Sequence, residues 1–313
     1  AQAEIVGKKK LDKRYLTITS EDADVVLSPQ YFACLTYKFL DHPKRYRRIW
    51  QSAVMYYNNI WRVPVPIRVV ATAWSVVQIY VLMRQDMLIN FSTYSTSWLM
   101  IEKIGFWDTD VIPEDYRLFF KSFFSLKGEV EVEPIFLPAL ADAAESTSYW
   151  KTMVNQYQQV KRWAWGVVDN SYIVKRWLLE TGVPFWKKTF WLLKFWEFHF
   201  LWPVHWFAIT ISAFFPPLLN PVFARTILGK TLPQVTSTIL TVSLISLIAI
   251  WVVHVRARPK RIEQMSLIRR ILIPFELLLL PVLGFFFNAL PGLDAHTRLM
   301  LGRYIEYRVT EKV

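Results

Sequence analysis

Tyr15-Leu16-Thr17-Ile18-Thr19-Ser20-Glu21-Asp22-Ala23-Asp24 runs a β-branched and aromatic stretch straight into a cluster of carboxylates. Tyr15–Thr19 has the composition of a buried strand. On extended chain the side-chain period is two, so Asp22 and Asp24 are expected to point to one side. Strand ends in an α/β sheet are where ligands gather. Two hard oxygen ligands suit Mg²⁺ or Mn²⁺, with substrate phosphates completing the shell. An acidic turn that caps the next helix through Ser20 or Asp24 explains the same residues, and the D-x-D spacing alone does not choose between the two.

Working outward, Pro29 opens a helical stretch through Leu40, and Glu129–Phe136 alternates as a half-exposed strand does. Pro138 to Thr147 reads as a small-residue, acidic loop, and Tyr149–Val168 as a Trp- and Gln-rich helix. Ile67–Met83 is apolar but interrupted by Arg68 and Gln78, which predicts a buried or interface-lying helix. Residues 3–14 read as a basic surface helix. Arg45, Arg47 and Arg48 with Trp50 and Trp61 read as a solvated or membrane-facing surface, Phe91–Ser97 as a polar loop or linker, and Cys34 as an inert core residue. Helical and strand patterns mixed over residues 1–183 predict an α/β domain.

Composition narrows the possible classes. Of 313 residues, 53% are hydrophobic and 20% charged, too apolar for an ordinary soluble domain and too charged for a wholly membrane-embedded one. Aromatic residues at 16% exclude a disordered chain. A single cysteine excludes a disulfide framework and a cysteine-based zinc site. The net charge of +12 suits nucleic acid, an anionic membrane surface or phosphorylated substrates.

The apolar residues concentrate near the C-terminus. Residues 198–219 and 235–255 carry no charge, and 271–291 carries only Glu276. Each approaches the roughly 20 residues that cross a hydrocarbon core about 30 Å thick as a helix. Lys175, Arg176, Lys187, Lys188 and Lys194 precede the first of these, and Arg256, Arg258, Lys260, Arg261, Arg269 and Arg270 lie between the second and third. Only Arg225 and Lys230 lie between the first and second, so residues 1–197 and the 256–270 loop are expected in the cytoplasm. The basic charge is thereby explained by membrane boundaries, and nucleic acid is not an expected partner. Three crossings would leave the tail from Asp294 outside, against its Arg298, Arg303, Arg308 and Lys312. Pro274, Pro281, Gly284, Pro291 and Glu276 would suit a broken or re-entrant third segment with its carboxylate turned toward protein, but three transmembrane crossings are the default expectation. Residues 184–197 read as an amphipathic interfacial helix whose lysines face headgroups. His199, His205 and His254 read as span-end residues.

Two further constellations bear on chemistry. Pro113-Glu114-Asp115 opens a helix over Tyr116–Phe124. A carboxylate held there can serve as general base for a hydroxyl nucleophile; acids at a helix start are also favoured by the helix dipole alone. Gln159-Val160-Lys161-Arg162-Trp163 places Gln159, Arg162 and Trp163 on one helix face. Arginine offers a planar fork to phosphate oxygens and tryptophan a flat apolar face to a sugar ring. An interfacial helix has the same composition.

The order D-x-D (Asp22, Asp24), then E-D (Glu114, Asp115), then Q-x-x-R-W (Gln159, Arg162, Trp163), then a basic aromatic helix and membrane spans, resembles the membrane-integrated family 2 glycosyltransferases. That group contains the cellulose, chitin and hyaluronan synthases. The resemblance covers residues 3–219 and implies a GT-A-type catalytic domain followed by an interfacial helix and C-terminal transmembrane helices. It implies an inverting transferase at the inner membrane, with its catalytic part cytoplasmic, a UDP-sugar donor and a glycan or lipid acceptor. By position, Asp22 and Asp24 would hold Mg²⁺ or Mn²⁺ and the donor diphosphate, which Arg162 would also meet. Asp115 would deprotonate the acceptor hydroxyl, and Gln159, Trp163 and Glu114 would line the acceptor side. Only about 21 residues precede Asp22, too few for the nucleoside-binding half of such a domain. The chain is therefore expected to be truncated or completed by a partner subunit, and a non-catalytic membrane subunit is the competing reading.

Overall fold

The computed structural model describes residues 11–260, 266–307 and 310. The expected basic helix over 3–14 lies outside them through residue 10, as do Arg261, Arg308 and Lys312; Lys13–Tyr15 forms a single 3₁₀ turn. In chain order the elements are β1 (Thr17–Ser20), β2 (Val26–Leu27), α1 (Tyr31–Asp41), β3 (Arg48–Met55), α2 (Val65–Met83), β4 (Tyr94–Ser97), α3 (Trp98–Ile104), α4 (Glu114–Ser125), β5 (Glu131–Leu140), α5 (Tyr149–Ala164), α6 (Asn170–Leu179) and α7 (Phe185–Thr210). Helical segments continue over Ser212–Leu219, Ile227–Ala257 and Leu267–Met300. The chain divides into two compact units: one of Ala1–Asn58, Val77–Asp142 and Gly166–Trp196, the other of Asn59–Val76, Ala143–Trp165 and Glu197–Val313.

The first unit is built on a five-stranded sheet of order β1-β4-β3-β5-β2. β3 and β5 run parallel, with Ile49 opposite Val132 and Trp50 opposite Glu133; the other pairs are antiparallel. β3 is buried along its whole length. The surface expected around Arg48 and Trp50 is thus the centre of the sheet. Trp50 packs with Ile135 and with Tyr31, Leu35 and Phe39, a one-face stripe of α1. Arg48 is buried because β5 supplies its partners, Glu131 at 2.8 Å and Glu133 at 3.0 Å. β5 contains Pro134 and Pro138; on its β2 side the ladder pairs are with Ala139 and Leu140, and Pro138 takes part there only as an acceptor, its carbonyl receiving the Ser28 N–H at 3.3 Å.

β4 corrects a second expectation. Tyr94–Ser97 is a buried strand between β1 and β3, not a polar loop or linker. Its hydroxyls are satisfied inside the sheet: Ser95 Oγ lies 2.7 Å from both Thr19 Oγ1 and the Tyr31 hydroxyl, and Thr96 Oγ1 donates to the Arg48 carbonyl at 2.8 Å. Ser97 Oγ caps α3 by accepting from the Met100 N–H at 3.2 Å.

α2 leaves the sheet after β3 and returns to it at β4, and those two strands are hydrogen-bonded neighbours. Its 19 residues are long and apolar enough to cross a bilayer by composition. The sequence suggests a buried or interface-lying helix, and close to half of its most apolar stretch is buried within the protein.

α7 runs unbroken through the boundary expected at 197/198, with Pro203 inside it. Its first half packs in the first unit, with Trp191 4.8 Å from the Phe119 ring of α4 and Phe195 5.7 Å from Phe120. Lys188 does not face headgroups. It is buried and donates to the carbonyls of Trp177 at 2.6 Å and Glu180 at 2.7 Å, closing the C-terminal end of α6.

In the second unit Arg68 and Glu276 form a two-pronged ion pair, both contacts 2.7 Å. The Glu276 carboxylate is therefore turned toward protein, as the sequence suggests. Trp202 lies against Gly292, where a Cβ would come within 2.9 Å of the indole. Ile227–Ala257 (31 residues) and Leu267–Met300 (34 residues) join α2 as helices long and apolar enough to cross a membrane. A fourth arises if α7 and Ser212–Leu219, bent by 53°, count as one span.

Candidate functional site

β1 ends at Ser20, and Ala23 and Asp24 lie in a turn closed by the Val25 N–H donating to the Asp22 carbonyl at 3.0 Å. Asp22 and Asp24 therefore flank and enter a turn rather than lying on extended chain, so the side-chain period of two does not apply to them. Asp22 is exposed. Asp24 Oδ2 accepts from the backbone N–H of Asp142 at 3.1 Å, and Asn58 Nδ2 donates to the carbonyls of Asp24 at 3.2 Å and Leu140 at 3.0 Å. The turn is thus tied to the exit of β5. It does not cap α1, whose N-cap position is held by Gln30. The Glu21 carboxyl is pushed up by partial burial and by the neighbouring Asp22.

Glu114 and Asp115 occupy the first turn of α4, after Pro113 in the N-cap position. The amide of buried Asn90 donates to the Asp115 carbonyl at 3.0 Å, which fixes the backbone there. Tyr94 connects this turn with the end of β1. Its hydroxyl accepts from Trp107 Nε1 at 2.6 Å and is hydrogen-bonded to Ser20. Burial, then the charge of Asp115, push the Tyr94 phenol well above its ordinary range, and Tyr116 is raised by the same two causes. The end of β1, through Ser20, and the start of α4, through the charge of Asp115, thus both act on one buried tyrosine.

Two residues further along α4, Arg117 bonds the buried Asp169 carboxylate through Nε at 3.0 Å and Nη2 at 2.6 Å. Its guanidinium lies 4.1 Å from the Tyr172 ring. Asp108 accepts from Lys121 at 2.6 Å and stands 3.5 Å from Arg117. Burial pushes the Asp169 carboxyl up, and the hydrogen bonds from Arg117 pull it part of the way back.

Gln159, Arg162 and Trp163 share a face of α5 in the second unit, and Gln159 is buried. Trp163 stands edge-on to Trp74 at 5.3 Å, and Trp74 meets Trp202 at 5.6 Å. Arg162 lies over the Tyr307 ring at 5.3 Å, and its Nε is buried with no hydrogen-bond partner among the described residues. Lys161 pairs with Asp294 at 3.2 Å, an aspartate that also accepts from the Tyr157 hydroxyl at 3.3 Å and Arg298 Nε at 2.6 Å.

Asp22, Asp24, Glu114 and Asp115 therefore belong to one unit, and Gln159, Arg162 and Trp163 to the other. Sequence reasoning passes over Tyr94, Asp142, Arg117 and Asp169. Asp142 lies in a loop legible only as acidic, and Tyr94 in a run that reads as polar linker. The Arg117–Asp169 pair spans 52 residues and leaves no local signal.

Among the described residues, no three His, Cys, Asp or Glu side chains gather to hold a metal by themselves. Asp22 and Asp24 are carboxylates, the hard oxygen donors that Mg²⁺ takes, in the number expected where substrate phosphates and water complete an octahedral shell. The donor set fits such an ion.

A family model described as glycosyl transferase family group 2 matches residues 17–254. No curated protein matches the chain.

Proposed function

Since the chain belongs to glycosyl transferase family group 2 and is a glycosyltransferase, we propose that it moves a sugar, with inversion, from a UDP-sugar to a glycan or lipid-linked acceptor at a membrane surface. The observation that carries this reading is the meeting at Tyr94 of the β1 end, leading to Asp22 and Asp24, with the α4 start bearing Asp115. Asp22 and Asp24 would hold Mg²⁺ or Mn²⁺, which when bound screens the donor diphosphate and the charge that develops on it as it leaves. Asp115 takes the proton of the acceptor hydroxyl as its oxygen attacks the anomeric carbon. Glu114 lies beside it on the acceptor side. Arg162, whose buried Nε has no hydrogen-bond partner among the described residues, suits a phosphate oxygen, and Gln159 and Trp163 suit a sugar.

The test is metal-dependent donor binding. Calorimetry of the purified chain should show UDP binding that requires Mg²⁺ and is removed by EDTA. Asp22→Asn combined with Asp24→Asn should abolish it.

We also infer that the catalytic part faces the cytoplasm, because basic residues concentrate before the first charge-free stretch and between the second and third, with only Arg225 and Lys230 between the first and second. In a Cys34→Ser background, a single cysteine at Lys151 should react with impermeant maleimide from the cytoplasmic side only. Reaction from the opposite side would overturn this orientation.

A further inference from the structure

The side chains that orient a general base are as much part of catalysis as the base, because misplacement by about 1 Å can cost about a hundredfold in rate. α4 carries Asp115 in its first turn and Arg117 two residues later, so whatever fixes Arg117 fixes the helix start. Arg117 is bound by a carboxylate that has no access to solvent, Asp169, through two donors. The second oxygen of Asp169 has no hydrogen-bond partner among the described residues. A buried carboxylate held by a single partner is costly, and removing one member of such a pair leaves an uncompensated charge. The pair is not needed to close the core of α4, which is already filled by Leu118, Phe119, Phe120, Phe123 and Phe124. Three further contacts converge on the same region. Asp108 is shared by Arg117 and Lys121, Lys121 donates to the Phe106 carbonyl at 2.9 Å, and Tyr172 covers the guanidinium. The helix start is therefore tied on one side to the loop before it and on the other to the residues that begin α6.

We propose that Asp169 is a positioning residue for the transfer reaction: through Arg117 it sets the place of the Asp115 carboxylate without touching donor or acceptor. The proposal rests on the reading of Asp115 as the base. It assigns a role to the segment just after the Q-x-x-R-W helix, joining it to the E-D turn within one unit.

The experiment measures turnover per UDP-binding site on the full chain. Sites are counted by calorimetry with UDP and Mg²⁺. Turnover is followed as UDP release from whichever of a panel of UDP-sugars the wild-type protein consumes. Asp169→Asn keeps the shape and one acceptor but loses the charge. It should bind UDP with wild-type affinity and turn over about tenfold to a hundredfold more slowly per site. A merely structural role would lower the number of sites and leave turnover per site unchanged, and that result overturns the proposal. Should Asp169→Asn bind no UDP at all, Arg117→Lys decides by the same ratio. It keeps the charge and gives up the two-pronged fork, so turnover per site should fall severalfold, and a wild-type ratio would overturn the proposal. Asp115→Asn, measured alongside, separates the two claims: if it retains full turnover per site, the base assignment fails whatever Asp169 does.

Discussion

Asp115→Asn is expected to slow sugar transfer by about a thousandfold, within the hundredfold to ten-thousandfold range of a lost general base. At about 1.4 kcal/mol per factor of ten, that is about 4 kcal/mol of transition-state stabilisation. The amide is isosteric and cannot accept the hydroxyl proton. Asn90 holds residue 115 through its backbone carbonyl, a contact that the substitution leaves in place. The loss should therefore appear in kcat, with UDP affinity unaltered. A fall in affinity with kcat preserved would instead make Asp115 a binding residue.

Trp50→Ala is expected to destabilise the first unit by about 3–5 kcal/mol, the usual cost of truncating a fully buried aromatic residue. Trp50 has no solvent exposure, sits in the strand flanked by β4 and β5, and meets Phe39 of α1 edge-on at 5.9 Å. Its removal opens a cavity bounded by Tyr31, Leu35, Phe39 and Ile135, which the surrounding sheet cannot close. Trp50→Phe should cost much less, because the indole N–H has no hydrogen-bond partner among the described residues. Chemical denaturation in a fixed detergent, compared at equal slope, measures both.

The readability of this fold from sequence reflects its physics. α1 and α4 are legible because apolar spacing and helix-start residues are local signals. β1 and most of β5 are legible because β-branched composition and alternation are local too. β3 is hidden because its burial is non-local. Arg48 reads as a surface residue until β5 supplies two glutamates, and Gln51 is buried only because the backbone at Ser92 and Thr93 accepts from its amide, both at 3.1 Å. β4 is hidden because a Ser/Thr run carries no hydrophobic pattern, and only Thr19, Tyr31 and the Arg48 carbonyl make it a buried strand. For the candidate site, the chemistry-bearing residues are visible as motifs. The turn at Asp22–Asp24, the tie to Asp142 and the Tyr94 junction are not, since each depends on contacts between segments far apart in the chain.

The most direct test of donor binding at the end of β1 is UDP affinity measured on three proteins: wild type, Asp22→Asn with Asp24→Asn, and Asp115→Asn. Equal Mg²⁺-dependent UDP binding is expected for the wild type and Asp115→Asn, with only the wild type turning over, and no binding is expected for the double variant. Metal-dependent binding that survives in the double variant would contradict this, because the donor diphosphate would then be held somewhere other than at the end of β1.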